Sequence, residues 1–390
     1  MSQKSSSDFK LGIMSGGQLG KMLTQVASVF DIQVYVMDKS NEAPAAQICH
    51  QFFQGDQTNF DDVYNFGKKV DLLTFEIEHI NIEALRKLKS EGVTIYPDPE
   101  TLNTIKDKGL QKEFYAKHNI PTSSFKIYQS KAEVLEALAS GEISYPFVQK
   151  SRTDGYDGKG VAVVLNESKL GRLMDTTSVI EDAVDIEKEL SVIVARNPSG
   201  EIKCFPLVEM EFNAEANLVE KLICPANISN AIEEQSIAIA KEVAESFHLV
   251  GLLAVELFLD KSGNILVNES APRTHNSGHH TIEANITSQY EQQLRAIFDW
   301  PLGDTSILSP SIMLNVLGEP DYTGDVKYEG LNEVLKIPGV KPHIYGKKIT
   351  KPFRKMGHVT VLGNTIEEAK QKAEIVKNTL KVIAYEPTKN

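Results

Sequence analysis

Glu256 and Glu269 are the residues whose types and spacing most directly suggest chemistry, because they stand on the two arms of a hairpin-like stretch, Leu252 to Asn268 and beyond, with the turn sequence Lys261-Ser262-Gly263-Asn264. With Ser262 and Gly263 at the turn centre, Glu256 pairs with Glu269. Two carboxylates facing each other at about 5 Å between Cβ atoms repel unless something intervenes. A divalent cation removes the repulsion. Magnesium uses one or two carboxylates and completes its shell with water and phosphate oxygens, which is what a triphosphate site supplies. The plainer alternative is that one glutamate pairs with an arginine such as Arg273.

A cationic loop, Lys150-Ser-Arg-Thr-Asp-Gly-Tyr-Asp-Gly-Lys-Gly160, has three glycines, two lysines and an arginine, the make-up of a flap over phosphates. The apolar Phe147-Val148 ahead of it reads as a strand that aims Lys150. Lys108, following Asp107 in a helix, is a weaker candidate for the same phosphates. Just after Glu269, Ala271-Pro-Arg273-Thr-His275-Asn276-Ser-Gly-His279-His280 is dense in polar side chains. Arg273 can fork onto a carboxylate or phosphate, and His275 suits a proton carrier or anion ligand near neutral pH. His279 and His280, adjacent and without a third ligand, read as hydrogen-bonding residues and not as a metal pair. Ser15-Gly16-Gly17-Gln18-Leu19-Gly20 joins a strand to a helix and could turn backbone amides toward a phosphate, with Asp38 placed as a ribose-binding acid would be. A tight turn with no ligand fits the same residues equally well.

The elements that must carry these groups follow from periodicity. Lys10 to Met14, Gln33 to Met37, Leu72 to Phe75 and Thr94 to Tyr96 read as strands alternating with helices, the first helix from Gln18, which predicts a parallel α/β sheet. The pattern breaks at Pro97-Asp98-Pro99 and again from Trp300-Pro301 to Pro310. Three units are expected: an N-terminal α/β domain over 1–105, a domain over 106–305 with an inserted lobe at about 125–185, and a small C-terminal α/β domain over 306–390. Asn230 and Glu233 have capping-box spacing and Ala240, Val243, Ala244 and Phe247 share a face, which predicts a helix from about 230 to 247.

At 390 residues, 41% hydrophobic and 24% charged, the chain has the composition of a folded multidomain protein. No apolar run approaches the roughly 18 residues of a membrane span, and the polar start lacks the apolar core of a signal peptide, so a cytoplasmic protein is expected. Cys49, Cys204 and Cys224 are scattered, against a disulfide framework or zinc site. A net charge of −12 repels nucleic acid and anionic membranes, so a phosphate ligand needs a local cluster of cations.

Taken together, Gly16-Gly17-Gln18-Leu19-Gly20, Thr74-Phe-Glu76-Ile-Glu78-His79, Gly155-Tyr-Asp-Gly-Lys-Gly160, Asn268-Glu269 with Ala271-Pro-Arg273, and His275-Asn-Ser-Gly-His279 resemble the 5-(carboxyamino)imidazole ribonucleotide synthase family of ATP-grasp enzymes. Tyr345-Gly-Lys347 and Arg354-Lys-Met-Gly-His358 resemble its C-terminal signature, so the likeness runs along nearly the whole chain. It implies an ATP-grasp fold with a pre-ATP-grasp domain before it and a small α/β domain after it. Lys108, Lys150 and Gly155, Tyr156, Asp157, Gly158, Lys159, Gly160 and Val161 would hold the ATP phosphates. Glu181, Asp182, Ala183 and Val184 would form the hinge strand beside adenine, Glu189 would bind the ribose, and Asn268 would join the nucleotide site. Glu256 and Glu269 would carry magnesium, with manganese as an alternative, in agreement with the hairpin argument.

For the second substrate the resemblance implies Glu76, Tyr156, Arg273, His275, Asn276, Lys347 and Arg354, with Arg273, His275, Lys347 and Glu76 in catalytic roles. The implied reaction is ATP-dependent carboxylation of 5-aminoimidazole ribonucleotide by bicarbonate through carboxyphosphate, by a homodimer that passes its product to a separate mutase. Met14 and Ser15 stand where the family usually has glycine, and Thr274 occupies a position in a Pro-rich motif. A nicotinamide-dependent oxidoreductase, another ATP-grasp ligase such as a biotin carboxylase, and a non-catalytic nucleotide sensor are the rival readings.

Overall fold

The computed structural model describes residues 8–153, 160–213 and 218–385. The first unit is a five-stranded parallel sheet ordered Gln51–Gln54, Gln33–Asp38, Lys10–Met14, Leu72–Phe75, Thr94–Ile95. Leu72–Phe75 is buried throughout and Lys10–Met14 nearly so, as expected for parallel strands covered on both faces. The helix Gln18–Val29 lays Leu19, Met22, Leu23 and Ala27 against one face. Phe60–Gly67 and Ile82–Ser90 cover the other. Chain order runs outward from Lys10–Met14 in one direction and restarts at Leu72–Phe75 in the other, so a crevice opens at the C-terminal ends of these two strands. Ser15–Gly20 and Glu76 sit at that switch point.

The second sheet has nine strands, with Ile265–Ala271, Gly251–Asp260, Ile186–Arg196, Val208–Asn213, Leu218–Cys224, Ser311–Leu317, Lys355–Leu362 and Val340–Ile344 adjacent in that order and Ile202–Cys204 beside Ile186–Arg196. It runs straight through the Pro-rich break, because Lys221–Cys224 pairs with Ser311–Leu314. The sequence of turn residues there marks a change of connection and not a gap between cores. Helix Asn230–Ser246 covers one face, where Ile239, Ala240, Val243 and Ala244 meet Leu253, Val255, Leu257 and Leu259. Its cap is Ser229, whose side chain accepts from the Ile232 amide, so the capping-box frame set on Asn230 lies one residue too late.

The inserted lobe is a four-stranded antiparallel sheet ordered Phe125–Tyr128, Ser178–Asp182, Phe147–Ser151, Val161–Val164, packed on helix Lys131–Ala139. Helix Lys108–Lys117 lies between this small sheet and the large one. Helix Ile366–Thr379 and a three-stranded sheet of Ile349–Thr350, Gly324–Glu329 and Lys381–Ala384 complete the C-terminal region. Among the described residues, no helix is long and apolar enough to cross a membrane.

The hairpin Gly251–Asp260 to Ile265–Ala271 pairs Glu256 with Glu269 as expected, by a route the sequence does not show. Leu259 pairs with Ile265, so the turn centres on Ser262, and Asp260 Oδ1 accepts the Ser262 and Asn264 amides at 2.8 Å. Continued regularly, that register would set Glu256 opposite Asn268. A bulge between the Glu256–Glu269 and Leu257–Val267 pairs makes Asn268 the extra residue and restores the glutamate pair.

Candidate active site

A cleft of about 690 Å³ opens where the parallel sheet's switch point, the start of helix Lys108–Lys117 and the cleft-facing side of the large sheet meet. Its wall includes Glu76, Lys108, Glu256, Glu269, Arg273, His275 and Asn276, so seven of the expected residues converge from distant parts of the chain. Lys150, Glu181 and Asn268 lie just behind it. Gly155, Tyr156, Asp157, Gly158 and Lys159 fall outside the described residues. Of the flap, Gly160 takes φ 76° and accepts the Ser151 amide at 2.7 Å through its carbonyl, and Val161 pairs with Lys150.

Strand alternation explains the acidic face. Val255, Leu257 and Leu259 point into the core beneath helix Asn230–Ser246, leaving Glu256 and Phe258 on the cleft side. Ser191 pairs with Glu256 and Glu189 with Phe258, so Glu189 shares that side. Burial, then the charges of Glu269 and Glu189, push the Glu256 carboxyl up. Lys108, ion-paired with Glu269, is the main reason the Glu269 carboxyl is held down. Glu189 is pushed up to about 7 by burial.

These features fit a bound divalent cation: two carboxylates on one face, one resisting ionisation partly because of the other. Among the described residues no third His, Cys, Asp or Glu completes a protein-only metal cluster, so the remaining ligands would be water and phosphate oxygens. Arg273 does not neutralise either glutamate. Its Nη2 pairs with Glu78 Oε1 at 2.8 Å and Nη1 donates to the Thr274 carbonyl at 3.0 Å.

His275 differs from the sequence-based expectation. Burial, then Arg273 and Lys355, push its imidazole down to about 3, so it is neutral at pH 7 and not a charged anion ligand. The Ser277 amide donates to Nδ1 at 3.3 Å, which assigns the ring proton to Nε2, 3.7 Å from Glu256 Oε1. Ser277 Oγ also bridges His275 Nδ1 (2.9 Å) and Ser191 Oγ (2.8 Å). His279 contacts Tyr290 Oη and Gln289 Nε2, each at 3.2 Å, in line with a hydrogen-bonding role. His280 is buried, which lowers its imidazole to about 4, with a backbone hydrogen bond to Ser277 opposing.

The glycine turn is closed by protein. Glu76 accepts the Gly17 and Gly20 amides, one on each carboxylate oxygen. Asp38 Oδ2 takes the Gly16 amide at 2.8 Å and Ser15 Oγ at 3.0 Å. The amides that a dinucleotide's phosphates would need are therefore spent on internal carboxylates, and the nicotinamide reading loses its main support. Glu76 itself is buried, and burial raises its carboxyl to about 7 against the opposing pull of the two amides.

Lys150 Nζ donates to Asn268 Oδ1 at 2.7 Å and lies 2.9 Å from Glu181 Oε1. Glu181 is turned inward, while Asp182, Ala183 and Val184 lead from the small sheet into Ile186–Arg196 of the large one. Ala183 donates to the Pro146 carbonyl at 3.3 Å, and the Val184 carbonyl accepts from Ile186 at 3.0 Å.

Lys347 and Arg354 do not line the cleft. Lys347 Nζ donates to the Lys355 carbonyl at 2.8 Å, and Arg354 Nη1 donates to the Ile349 carbonyl at 2.5 Å. Lys355 lines the cleft instead. A bulge at Met356 pairs Lys355 with Leu317 while His358 pairs with Asn315, so both lie on the sheet side that meets the His275–His279 loop. There His358 stacks between His279 and His343, with 4.5 Å between ring centroids on each side. Glu78, quoted only within a motif, and Arg152, counted only as one cation of the flap, are also in the wall. Arg152 Nε reaches both Asp107 oxygens, at 2.7 and 2.8 Å, and Asp107 also caps the helix start. The Asp107-Lys108 helix start and the Glu76-Ile-Glu78 spacing were the available signals.

Comparison with known proteins agrees along the chain. Residues 9–106 match a ribonucleotide synthetase preATP-grasp domain, 113–290 an ATP-grasp domain, and 311–372 a phosphoribosylaminoimidazole carboxylase C-terminal domain. The crystal structure of N5-carboxyaminoimidazole ribonucleotide synthetase from Thermotoga maritima is similar at 41% identity and a TM-score of 0.88, covering 96% of this chain and 99% of that one. That of N5-carboxyaminoimidazole synthase from Aspergillus clavatus, in complex with ADP and 5-aminoimidazole ribonucleotide, gives 32% identity and a TM-score of 0.86, covering 95% and 98%. The chloroplastic phosphoribosylaminoimidazole carboxylase of Vigna aconitifolia is 36% identical over 94% of this chain and 66% of its own length. The chain thus spans about two thirds of the curated relatives of that kind.

Proposed function

Because the chain belongs to the N5-carboxyaminoimidazole ribonucleotide synthase family of ATP-grasp enzymes, we propose that it carboxylates the amino group of 5-aminoimidazole ribonucleotide with bicarbonate, releasing ADP and phosphate. The observation that carries this reading is the meeting, in one cleft, of the Glu256–Glu269 pair and Lys108 with Glu76, Arg273, His275 and Lys355. The first group suits a nucleotide triphosphate; the second suits a phosphorylated ribonucleotide.

A bicarbonate oxygen attacks the γ-phosphorus, ADP leaves, and carboxyphosphate remains. The substrate nitrogen then attacks the carboxyl carbon, phosphate leaves, and nitrogen loses its proton. Magnesium, or manganese, held by Glu256 and Glu269 supplies charge neutralisation on the phosphates when bound. Lys108, Lys150 and the loop Gly155–Val161 hold the ATP phosphates, the segment Glu181–Val184 borders adenine, and Glu189 takes the ribose. Glu76, Tyr156, Arg273, His275 and Asn276 serve the second substrate, and Lys355, in place of Lys347 and Arg354, adds cationic charge. The neutral His275 offers a hydrogen bond from Nε2 without placing a second fixed charge beside Arg273.

The three units take limits of 1–105, 106–305 and 306–390, the enzyme works as a cytoplasmic homodimer, and its product goes to a separate mutase. The reading is tested by ADP release from MgATP. Release that requires both bicarbonate and the ribonucleotide supports it; release indifferent to the ribonucleotide indicates an ATP-grasp ligase with another acceptor.

A further inference from the structure

Helix Lys108–Lys117 carries Lys108 and Lys112 four residues apart, on one face. Lys108 pairs with Glu269 of the large sheet, whereas Lys112 pairs with Glu181 of the small one at 3.1 Å. The Lys112 side chain is 3% exposed. Its Nζ also donates to Thr122 Oγ1 at 2.6 Å and Ser123 Oγ at 2.9 Å. An ammonium has three protons, and these three partners account for them, so Lys112 has none left for a ligand. Glu181, likewise 3% exposed, accepts from Ser123 Oγ at 2.6 Å and faces Lys150 on its other oxygen at 2.9 Å.

One buried carboxylate therefore stands between two lysines, the wholly engaged Lys112 at Oε2 and Lys150 at Oε1. With both lysines present the cluster carries a net positive charge, which is costly inside a protein until an anion approaches. With Lys150 alone, Glu181 would form a closed neutral pair that an arriving phosphate would have to break. We propose that Lys112 is a positioning residue for nucleotide binding: it neutralises Glu181 and so leaves the charge of Lys150 to the nucleotide phosphates. Burial draws the Lys112 ammonium down to about 8, with Glu181 opposing, which keeps it charged at neutral pH. The inference rests on the assignment of Lys150 to phosphate.

The test is calorimetric binding of MgADP to the wild type, Lys112→Met, Glu181→Gln and the double variant. Lys112→Met should bind at least about tenfold more weakly, the scale of one charge-assisted hydrogen bond. The double variant should return to within about threefold of the wild type, because removing the Glu181 charge releases Lys150 again. Unchanged affinity in Lys112→Met, or a double variant as weak as the single one, overturns the proposal. If Lys112→Met does not fold, Lys112→Gln decides, since its amide keeps polar contact with Thr122 and Ser123 without the charge: a tenfold loss of MgADP affinity supports the proposal, and wild-type affinity refutes it. Wild-type protein that does not bind MgADP would instead defeat the nucleotide assignment itself.

Discussion

Gly17→Ala isolates the contact that closes the first glycine turn. Gly17 has φ −68° and ψ −160°, extended backbone that alanine adopts, so the substitution adds no backbone strain. Its Cβ would overlap Glu76 Oε1, with Cδ at 3.2 Å and Oε2 at 3.4 Å. The carboxylate must retreat and lose the Gly17 amide. A hydrogen bond to a charged group contributes roughly 1.5–3 kcal/mol. Alanine returns about 0.4–1 kcal/mol by restricting the unfolded chain. The net loss expected is about 1–2 kcal/mol. Urea denaturation followed by Trp300 fluorescence reports on it directly, since Trp300 is the only tryptophan and its ring lies 5.3 Å from and tilted against Phe30, the C-cap of the helix that Gly17 begins. Gly171→Ala is the control: a Cβ there meets nothing within 4 Å, and stability should stay level or rise slightly. Because Glu76 lines the cleft, Gly17→Ala should also raise the KM for the ribonucleotide several-fold with a smaller effect on kcat. Stability equal to wild type with an unchanged KM would refute the claim that Glu76 is held by these amides.

Glu269→Gln should abolish ADP formation while circular dichroism stays native, because Glu269 is 39% exposed to the cleft and its loss removes a cation ligand, not a core contact; near-normal turnover would remove it from the metal site. Lys355→Ala should raise the ribonucleotide KM about tenfold or more and leave the ATP KM within about threefold, as expected for the loss of a charge-assisted contact to the second substrate; equal effects on both substrates would contradict that role. EDTA should stop ADP release, and excess magnesium should restore it; turnover that persists in EDTA would count against the Glu256–Glu269 pair as a cation site.

The parallel sheet, the helix over 230–246 and the glutamate hairpin were legible because each follows from local periodicity and turn chemistry. The hairpin also shows the limit of such reasoning. Its pairing was correct only because a turn shifted toward Ser262 is offset by a bulge at Asn268, and neither feature has a sequence signature. The same holds for Met356, whose bulge brings Lys355 to the cleft side while Arg354 turns to the Ile349 carbonyl. Long-range electrostatics were less legible still. His275 looks like a titrating residue in sequence, yet its burial beside Arg273 and Lys355 keeps it neutral. Asp38 looks free to bind a ribose until the fold hands it the Gly16 amide, and Glu76, though in the cleft wall, is held by the Gly17 and Gly20 amides. Arg273 finds Glu78, nearly two hundred positions away in the chain, and not the neighbouring glutamates.

The central claim is that the carboxyl group is placed on nitrogen. The direct measurement is incubation with MgATP, 5-aminoimidazole ribonucleotide and 13C-bicarbonate, followed by NMR of the product before and after brief acidification. The expected product carries a carbamate carbon bonded to nitrogen, formed one for one with ADP and lost as carbon dioxide in acid. An acid-stable carboxyl on a ring carbon, or ADP formed with no labelled product, would contradict it.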